Sequence, residues 1–496
     1  MSKHNLINKK IKKQVLYINN FIENVFNNFK YFIFNYKKIF LSKDNIAILI
    51  LAVGVILTLS YFTIPTFYEK NIIKAEIKNQ ISKSYNFDIK FNEKLNYGLL
   101  PKPHFYSKNL SIIGNNKEIG NVKNLKVFIE MGNFLEINKI SPKDLVFDKA
   151  DFNISLDDLI FFKNLLKTEP NENKIIFKKS NIFFRDLNNE VLFINKIKNG
   201  NFFYDSNNLR NVFNSKNEVF NVPYKITFKN DKFNKKFFIE FNSKKIRLKI
   251  DSETDYDKKD KTGFLDVLFV NKNTSLEYKI GKNSLSFTSE KNKNNYDGLI
   301  DFKPFYFLSN INYEGISFKN LLNNESILFD LIRSELFNNM NLNVNINLNV
   351  KDIVNINELN NLFLKVAIEQ GDISLSNSNI SWKDALKISL KDSFVTNNND
   401  EIILVGKINL DINNINSFYS SFQVNKNYRR DIKEIQFDFV YNFAQQEVSF
   451  DNIQVDKDYN SNIDEFINNF NSKRNKKFNK ITFKNFVNNF FKNYAG

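Results

Sequence analysis

An uncharged apolar run from Ile46 to Phe62 constrains this chain more than any other part of its sequence. With residues 63–67 it reaches the roughly 20 residues that a helix needs to cross a bilayer, whereas buried core helices usually have shorter apolar runs. A cleaved signal peptide would end in a small-x-small site, which Ile64-Pro65-Thr66 does not offer. We therefore predict a transmembrane helix over residues 46–67. The predicted membrane-anchor residues are Ile46, Leu49, Leu51, Val53, Val55, Leu57, Leu59 and Phe62.

The charges on the two sides of this run differ. Nine lysines and a single acid, Glu23, precede Asp44. Because positively charged flanks stay on the cytoplasmic side of a membrane, we expect residues 1–45 in the cytoplasm and the rest of the chain exported. Within this basic tail, residues 13–41 carry apolar side chains at close to helical spacing. That spacing predicts an amphipathic helix lying on the inner leaflet.

The amino-acid composition excludes some classes of binding partner and of metal or disulfide site. The net charge is +17, but lysine, asparagine, isoleucine and phenylalanine are all frequent while arginine is scarce, a pattern typical of an A/T-rich genome. Proteins that bind nucleic acid specifically rely on clustered arginine, so we expect no nucleic-acid partner. The chain has no cysteine, which excludes disulfides and thiolate zinc sites.

From about Phe87 onward the apolar residues recur with a period of two, the pattern of a strand with one dry and one wet face. Leu342, Val344, Ile346 and Leu348, for example, alternate with asparagines. Turn signals about every 8 to 15 residues predict short connections, which favour antiparallel neighbours. The dry faces supply the candidate groove residues Ile246, Leu248, Ile250, Leu342, Val344, Ile346, Leu348, Leu362, Leu364, Val366, Ile402, Leu404, Phe437 and Phe439.

These patterns predict a mainly β protein with a few helices. One N-terminal transmembrane helix would be followed by an elongated, curved antiparallel sheet, with helical interruptions near residues 156–166, 321–337 and 415–422. A sheet with one apolar face needs a cover for that face. The cover is either protein, as a second sheet or the helical interruptions, or lipid chains lying in an open groove. The sequence pattern fits both.

Several segments follow the predicted membrane helix in a characteristic order. They are the extended segment Phe87–Phe91, Gly98-Leu99-Leu100-Pro101-Lys102-Pro103, the strand Asn109–Ile112, then Val122–Ile129, Gly132–Ile137 and Leu145–Ile154. This order resembles the N-terminal module of the AsmA family. Ile175–Phe184 followed by Val191–Phe203 resembles the family's later strand pairs, and the resemblance extends over residues 45–455. The chain departs from the family in having very few glycines at its turns.

The resemblance implies a bacterial inner-membrane protein with a large periplasmic region, related to the repeating β-groove lipid-transfer proteins and linked to outer-membrane assembly. Under this interpretation the apolar strand faces bind or conduct phospholipid acyl chains. The implied partners are membrane phospholipids and envelope proteins of the outer membrane or periplasm. The implied location is the inner membrane, with one span, the N-terminus in the cytoplasm and most of the chain in the periplasm.

The predicted organisation has five parts. A cytoplasmic tail (1–45) and the membrane helix (46–67) precede an AsmA-like module (68–155), an extended sheet region (156–456) and a basic C-terminal tail (457–496). The tail carries apolar residues mostly on one helical face, among lysines, as in helices that lie on anionic lipid. A helix that caps the last strand is the alternative. The residues of that face are Phe486, Val487, Phe490, Phe491 and Tyr494.

Catalytic patterns are scarce. The histidines are His4, on the cytoplasmic side, and His104, which follows Pro103 without the glycines of a nucleophile elbow. No HExxH, EF-hand or P-loop pattern occurs. Asp157 and Asp158 fit a helix start better than an acid pair, and Trp382 fits packing at a strand end. We therefore expect no enzyme, catalytic residue, metal or cofactor. The rival functions are a scaffold that regulates outer-membrane protein assembly and, less favoured, an envelope hydrolase.

Overall fold

The computed structural model of the protein describes most of the chain from residue 43 onward. The described residues are 20, 22–25, 43–114, 117–132, 134–136, 139–155, 158–186, 188–255, 261–269, 272–281, 283–289, 295–302, 305–317, 332, 337, 339–354, 356–398, 401–472 and 480–496. Most of the helix predicted over residues 13–41 and most of the one near 321–337 lie outside these residues, and the described residues 20 and 22–25 are helical.

The apolar run forms a long helix. Helix α1 (Lys43–Thr63) continues into a short 3-10 turn (Ile64–Phe67) that contains Pro65. The stretch Ala47–Phe67 has a mean hydropathy of 2.5, its apolar window is unburied, and its length and composition suit a membrane span. Helix α2 (Lys70–Tyr85) follows and ends at Asn86, which adopts the left-handed conformation that asparagine tolerates. The chain therefore has one described helix able to cross a bilayer.

The described residues after α2 form 25 strands in one sheet. Their bounds are β1 (Asp88–Phe91), β2 (Asn96–Gly98), β3 (His104–Gly114), β4 (Lys117–Ile129), β5 (Pro142–Ile154), β6 (Ile175–Arg185), β7 (Val191–Asp205), β8 (Arg210–Val219), β9 (Val222–Asp231), β10 (Lys236–Ser243), β11 (Leu248–Asp255), β12 (Lys261–Phe269), β13 (Lys272–Ile280), β14 (Ser284–Thr288), β15 (Asn295–Phe302), β16 (Phe305–Ile316), β17 (Asn343–Ile353), β18 (Leu359–Glu369), β19 (Asp372–Ser374), β20 (Asn379–Trp382), β21 (Leu386–Asn398), β22 (Glu401–Ile412), β23 (Glu434–Asn442), β24 (Glu447–Val455) and β25 (Asp458–Tyr459). At about 4.8 Å per strand spacing the sheet extends on the order of 100 Å.

The strands are ordered in space almost as they are in sequence, and the prediction of a mainly β, elongated sheet is confirmed. β1 and β2 both pair with β3, and β19 and β20 both lie between β18 and β21. The expectation of a wholly antiparallel sheet is wrong at two places, because β5 pairs with β6 and β16 with β17 in parallel. A parallel pair needs a crossover, and the first crossover contains helix α3 (Leu159–Leu166).

One face of the sheet is apolar from end to end, and we call it the apolar face. Residues paired directly across neighbouring strands present their side chains to the same side of a sheet. Starting at β3, the registers connect Phe105, Val127, Leu145, Ile175, Phe202, Phe213, Phe228, Ile239, Ser252, Leu265 and Leu276. From Ile280 on β13 they continue through Leu285, Ile300, Phe307, Val344, Ile368, Ile373, Val395, Leu404, Tyr441 and Val448.

Protein covers the two ends of the apolar face. At the N-terminal end, Ile73, Ile77 and Ile81 of α2 lie on one side of that helix and are buried in a core shared with α3 and strands β1 to β7. At the C-terminal end, helices α4 (Ile415–Phe422), α5 (Ser461–Asn471) and α6 (Lys480–Ala495) contribute to a second core. The helices expected near residues 156–166 and 415–422 are thus present, as α3 and α4.

Candidate functional site

Between these two ends, the described residues leave the apolar face poorly covered from β10 to β15, a region that we call the trough. In the described part of the chain between Val222 and Val344, the buried hydrophobic side chains are Leu276, Tyr278 and Ile332. Of the other apolar side chains of the trough, Phe269 is exposed and the rest are only half-buried. They include Ile239, Phe241, Ile250, Leu265, Val267 and Ile300. A row of half-buried aliphatic and aromatic side chains about 24 Å long is therefore left facing outward from the sheet.

The opposite side of the same strands is charged. Lys249 and Asp251 of β11 form an ion pair of 2.5 Å there, and Lys229 pairs with Glu240 across β9 and β10. Farther along, asparagine amides bond across β16 and β17, with Asn347 donating to Asn310 at 2.9 Å and Asn349 to Asn312 at 2.9 Å. The sheet thus separates one wet side from one apolar side, as the alternating sequence predicts.

Most of the predicted groove residues share the apolar face. In β17 and β18, Val344, Ile346 and Leu348 lie opposite Ile368, Val366 and Leu364. Leu362 continues this row, and Leu342, just before β17, packs with Val344. Leu248 and Ile250 belong to the trough, and Ile402, Leu404, Phe437 and Phe439 belong to the C-terminal half. Their contact with lipid stays a prediction.

Ile246 is the exception, because the strand predicted around it begins only at Leu248. Residues 244–247 form a tight turn in which the Arg247 amide donates to the Lys244 carbonyl at 3.3 Å. Arg247 has a φ of 47°, the left-handed conformation that reverses the chain. Ile246 and Arg247 therefore belong to a turn, although their apolar-polar alternation resembles the start of a strand.

A hydroxyl cluster interrupts the trough at its centre. The Tyr278 hydroxyl lies 2.7 Å from the Ser252 hydroxyl and 2.5 Å from that of Thr254, so the ring extends across β12. It lies over Gly263, where a Cβ would collide with the ring and with a backbone carbonyl of β11. Glycine at this position lets the ring lie flat on the sheet. The surface of the trough thus stays flat at this position, and the three hydroxyls form a polar cluster on it.

The end of the membrane helix is held against the N-terminal end of the sheet. The Tyr61 hydroxyl donates to the Met131 carbonyl at 2.8 Å and accepts from the Phe134 amide at 3.3 Å, in the loop between β4 and β5. The Tyr68 hydroxyl donates to the Phe134 carbonyl at 2.6 Å, and Tyr97 donates to the Phe62 carbonyl at 2.6 Å. Burial raises the pKa of Tyr97 to about 12, which keeps its hydroxyl a donor.

The predicted anchor residues fit this geometry. Leu49, Leu51, Val53, Val55, Leu57 and Leu59 are all exposed on α1, as a lipid-facing helix requires. Phe62 is instead half-buried and packs edge-to-face with Phe134, with ring centroids 6.1 Å apart. It therefore belongs to the junction between helix and sheet. The side chain of Ile46 lies outside the described part.

At the other end, the apolar face and helices α4 and α6 line a partly open cavity of about 580 Å³, which we call the chamber. Strands β18 to β24 supply one wall, including Ile388, Leu404 and Phe437. Trp382, the last residue of β20, forms part of this wall as the strand-end packing residue expected from sequence, with its ring centroid 5.0 Å from that of Phe422. The lining is aliphatic and aromatic apart from Gln446 and the polar atoms of Trp382 and Tyr441.

The C-terminal amphipathic helix supplies part of the wall of this chamber. Phe486, Val487, Phe490 and Phe491 of α6 line it, and Phe491 is only 1% exposed. Tyr494 packs against the same core. Of the two predicted roles for the helix, this packing favours the cap on the last strands over a helix lying on lipid. The sequence did not show which surface covers this helix. Helical spacing indicates that a helix has an apolar face, but it does not indicate which strands or helices pack against that face.

The described residues offer little for catalysis. His104 is buried at the start of β3, with its Nδ1 2.8 Å from the Lys102 carbonyl oxygen, and burial lowers its pKa. It is thus a packing histidine. Asp158 stands directly before α3 and accepts from the Ser155 amide at 3.0 Å and from Lys117 at 3.2 Å, as a helix-start residue does. Within the described ranges no group of three His, Cys, Asp or Glu side chains could hold a metal ion.

The structure therefore contains three connected features: a helix long and apolar enough to cross a membrane, an apolar trough and an apolar chamber. No protein-family model, curated protein or solved structure matches this chain.

Proposed function

We propose that this is a membrane-anchored protein of AsmA type that binds or conducts phospholipid acyl chains along its apolar face. In this proposal it is anchored in a bacterial inner membrane with its N-terminus in the cytoplasm, and its sheet extends into the periplasm. There it would support lipid homeostasis and outer-membrane assembly. The observation that carries the proposal is the continuous apolar face, half-buried and poorly covered between β10 and β15.

The energetics favour hydrocarbon in the trough. Each CH₂ group that leaves water for an apolar surface contributes about 0.8 kcal/mol. The trough is about 24 Å long, while one leaflet of a 30 Å hydrocarbon core is about 15 Å thick, so an acyl chain can lie along it. The charged groups Lys249 and Asp251 on the opposite side would keep that side in water. No catalytic group is required for such passive binding.

The entry point follows from the cover on the first strands. Because α2 and α3 fill the apolar face as far as β7, lipid would reach the trough beyond Tyr85, the last residue of α2, instead of at the first strand. Tyr85 contacts Phe202 of β7 with ring centroids 6.3 Å apart. The junction of α1 with the β4–β5 loop would hold this opening at a fixed position above the bilayer.

Photo-crosslinking tests the proposal directly. Because the chain has no cysteine, single cysteines carrying a photoreactive probe label one position at a time. Ile250→Cys and Ile346→Cys place the probe on the apolar face, and the neighbours Lys249→Cys and Asn347→Cys place it on the opposite side as matched controls. We expect lipid adducts in membranes from the first pair only. Equal labelling of both sides, or no labelling, would contradict the proposal.

A scaffold is the second candidate, favoured by the protein cores at both ends of the sheet. A scaffold would need no lipid in the trough. Lipid extracted with the purified full-length protein, and reduced in a variant with Ile239→Asp and Ile250→Asp, would count against it. Full-length protein that purifies without lipid would instead favour it.

A further inference from the structure

The chamber differs from the trough in having helices as well as strands in its walls. Its walls come from the sheet and from two helices that are distant in sequence, with Phe418 and Phe422 on α4 and Phe486 and Phe490 on α6. The lining residues fill the C-terminal core and still leave about 580 Å³ open, a volume within the usual range of small-molecule sites.

The volume and lining define the occupant. A cavity of about 150 Å³ lined by apolar side chains holds one benzene, or roughly 25 Å³ per carbon. The chamber, at about 580 Å³, therefore has room for roughly 20 carbon atoms by the same estimate. That is one acyl chain, and it is too few atoms for both chains of a phospholipid. The lining contains no charged side chain, so a carboxylate or phosphate headgroup would stay outside.

We infer that the chamber is a discrete binding site for a single acyl chain of up to about 20 carbons, from a free fatty acid or from one chain of a phospholipid. The inference goes beyond the proposed function, because a site walled by both sheet and helices can hold its chain whether or not the trough conducts lipid. The registers connect the chamber to the trough through Val395 and Leu404, so the site lies at the distal end of the same apolar face.

The sequence supplies a direct reporter. Trp382 is the only tryptophan of the chain and lines the chamber, with its ring 5.0 Å from that of Phe422 and 6.5 Å from that of Phe483. Bromine atoms on a chain in the chamber would quench its fluorescence at short range. The experiment uses the full-length protein in nanodiscs of unbrominated lipid, titrated with dibromostearate. A second arm uses nanodiscs made with a phospholipid brominated on one chain.

Saturable quenching that reaches its limit at about one chain per protein is expected. Quenching by dibromostearate identifies a fatty acid as a source, and quenching only by the brominated phospholipid identifies a phospholipid chain. Bromobutyrate, which is too short to fill the chamber, should quench weakly and without saturation. Absence of saturable quenching by either long-chain probe would overturn the inference.

Two matched variants separate chamber filling from unfolding. Val448→Phe fills the chamber, whereas Val440→Phe, on β23 with 42% exposure, adds the same atoms to the opposite side. We expect Val448→Phe to weaken the binding about tenfold and Val440→Phe to change it less than twofold. Ile388→Phe, also in the lining, replaces Val448→Phe if that variant loses its native circular dichroism. Equal affinity of filled and control variants would contradict the site. If the Trp382 fluorescence were still quenched but the Ile250→Cys probe formed no lipid cross-links, the proposed conduction of lipid along the trough would be refuted and the chamber site would stand.

Discussion

The junction between the membrane helix and the sheet yields a quantitative prediction. Replacing Tyr61 and Tyr68 by phenylalanine keeps their rings, including the stacking of Tyr61 on Phe134 at 5.3 Å, and removes only the hydroxyls. Three hydrogen bonds to Met131 and Phe134 are lost. At about 1 kcal/mol net for each bond, the loop should open more easily by about 3 kcal/mol, or about a hundredfold in equilibrium constant.

Hydrogen exchange measures this opening. In the full-length protein in nanodiscs, amides of the β4–β5 loop should exchange up to about a hundredfold faster in the double variant. Tyr459→Phe, at an exposed site far along the chain, serves as the control and should leave the loop unchanged. Exchange in the double variant within about threefold of the wild-type rate would show that the hydroxyls do not hold the junction.

Three further predictions concern stability, measured by urea denaturation of the full-length protein. Gly263→Ala should cost about 1–3 kcal/mol, since its Cβ would collide with a backbone carbonyl of β11, while Gly132→Ala, with open space around it, should be neutral. Burial lowers the pKa of His104 from 6.5, so stability present above pH 6.5 is lost as the pH falls below it. His104→Gln should lose less stability on acidification, and an equal loss would refute this role. Phe491→Ala should cost about 3–5 kcal/mol because that ring is buried, compared with about 0.5 for exposed Tyr459→Ala. If Phe491→Ala weakened only vesicle binding, α6 would be a membrane helix.

Much of the fold could be predicted from local patterns. The alternation of Val344 and Ile346 with asparagines predicts a strand with one dry face, because the side-chain period of a strand is two. β17 has this form, and its asparagines pair on the opposite side. The uncharged run before Phe67 likewise predicts α1 from length alone. These features depend on residues close together in sequence.

Features that depend on distant partners could not be predicted. The parallel pairing of β5 with β6 requires that the chain cross over through α3. The alternation of apolar and polar residues in each strand does not indicate which strand it pairs with. The same limit applies to the chamber, whose helix α6 meets strands some 40 to 100 residues earlier. Ile73, Ile77 and Ile81 of α2 recur at helical spacing, which indicates an apolar helix face. The sequence does not show that this face packs on the first part of the apolar face of the sheet.

The near-sequential order of the strands has a consequence for biogenesis. A chain that emerges from a membrane with its N-terminal side first can add each strand to the growing edge as soon as it appears, because most pairings close short loops. Growth must pause twice, between Ile154 and Ile175 and between Ile316 and Asn343, where the next strand joins in parallel only after a crossover. At those two moments an unpaired strand edge and an open apolar surface are exposed together, the combination most prone to aggregation. A chaperone would therefore be needed most at β5 and β16.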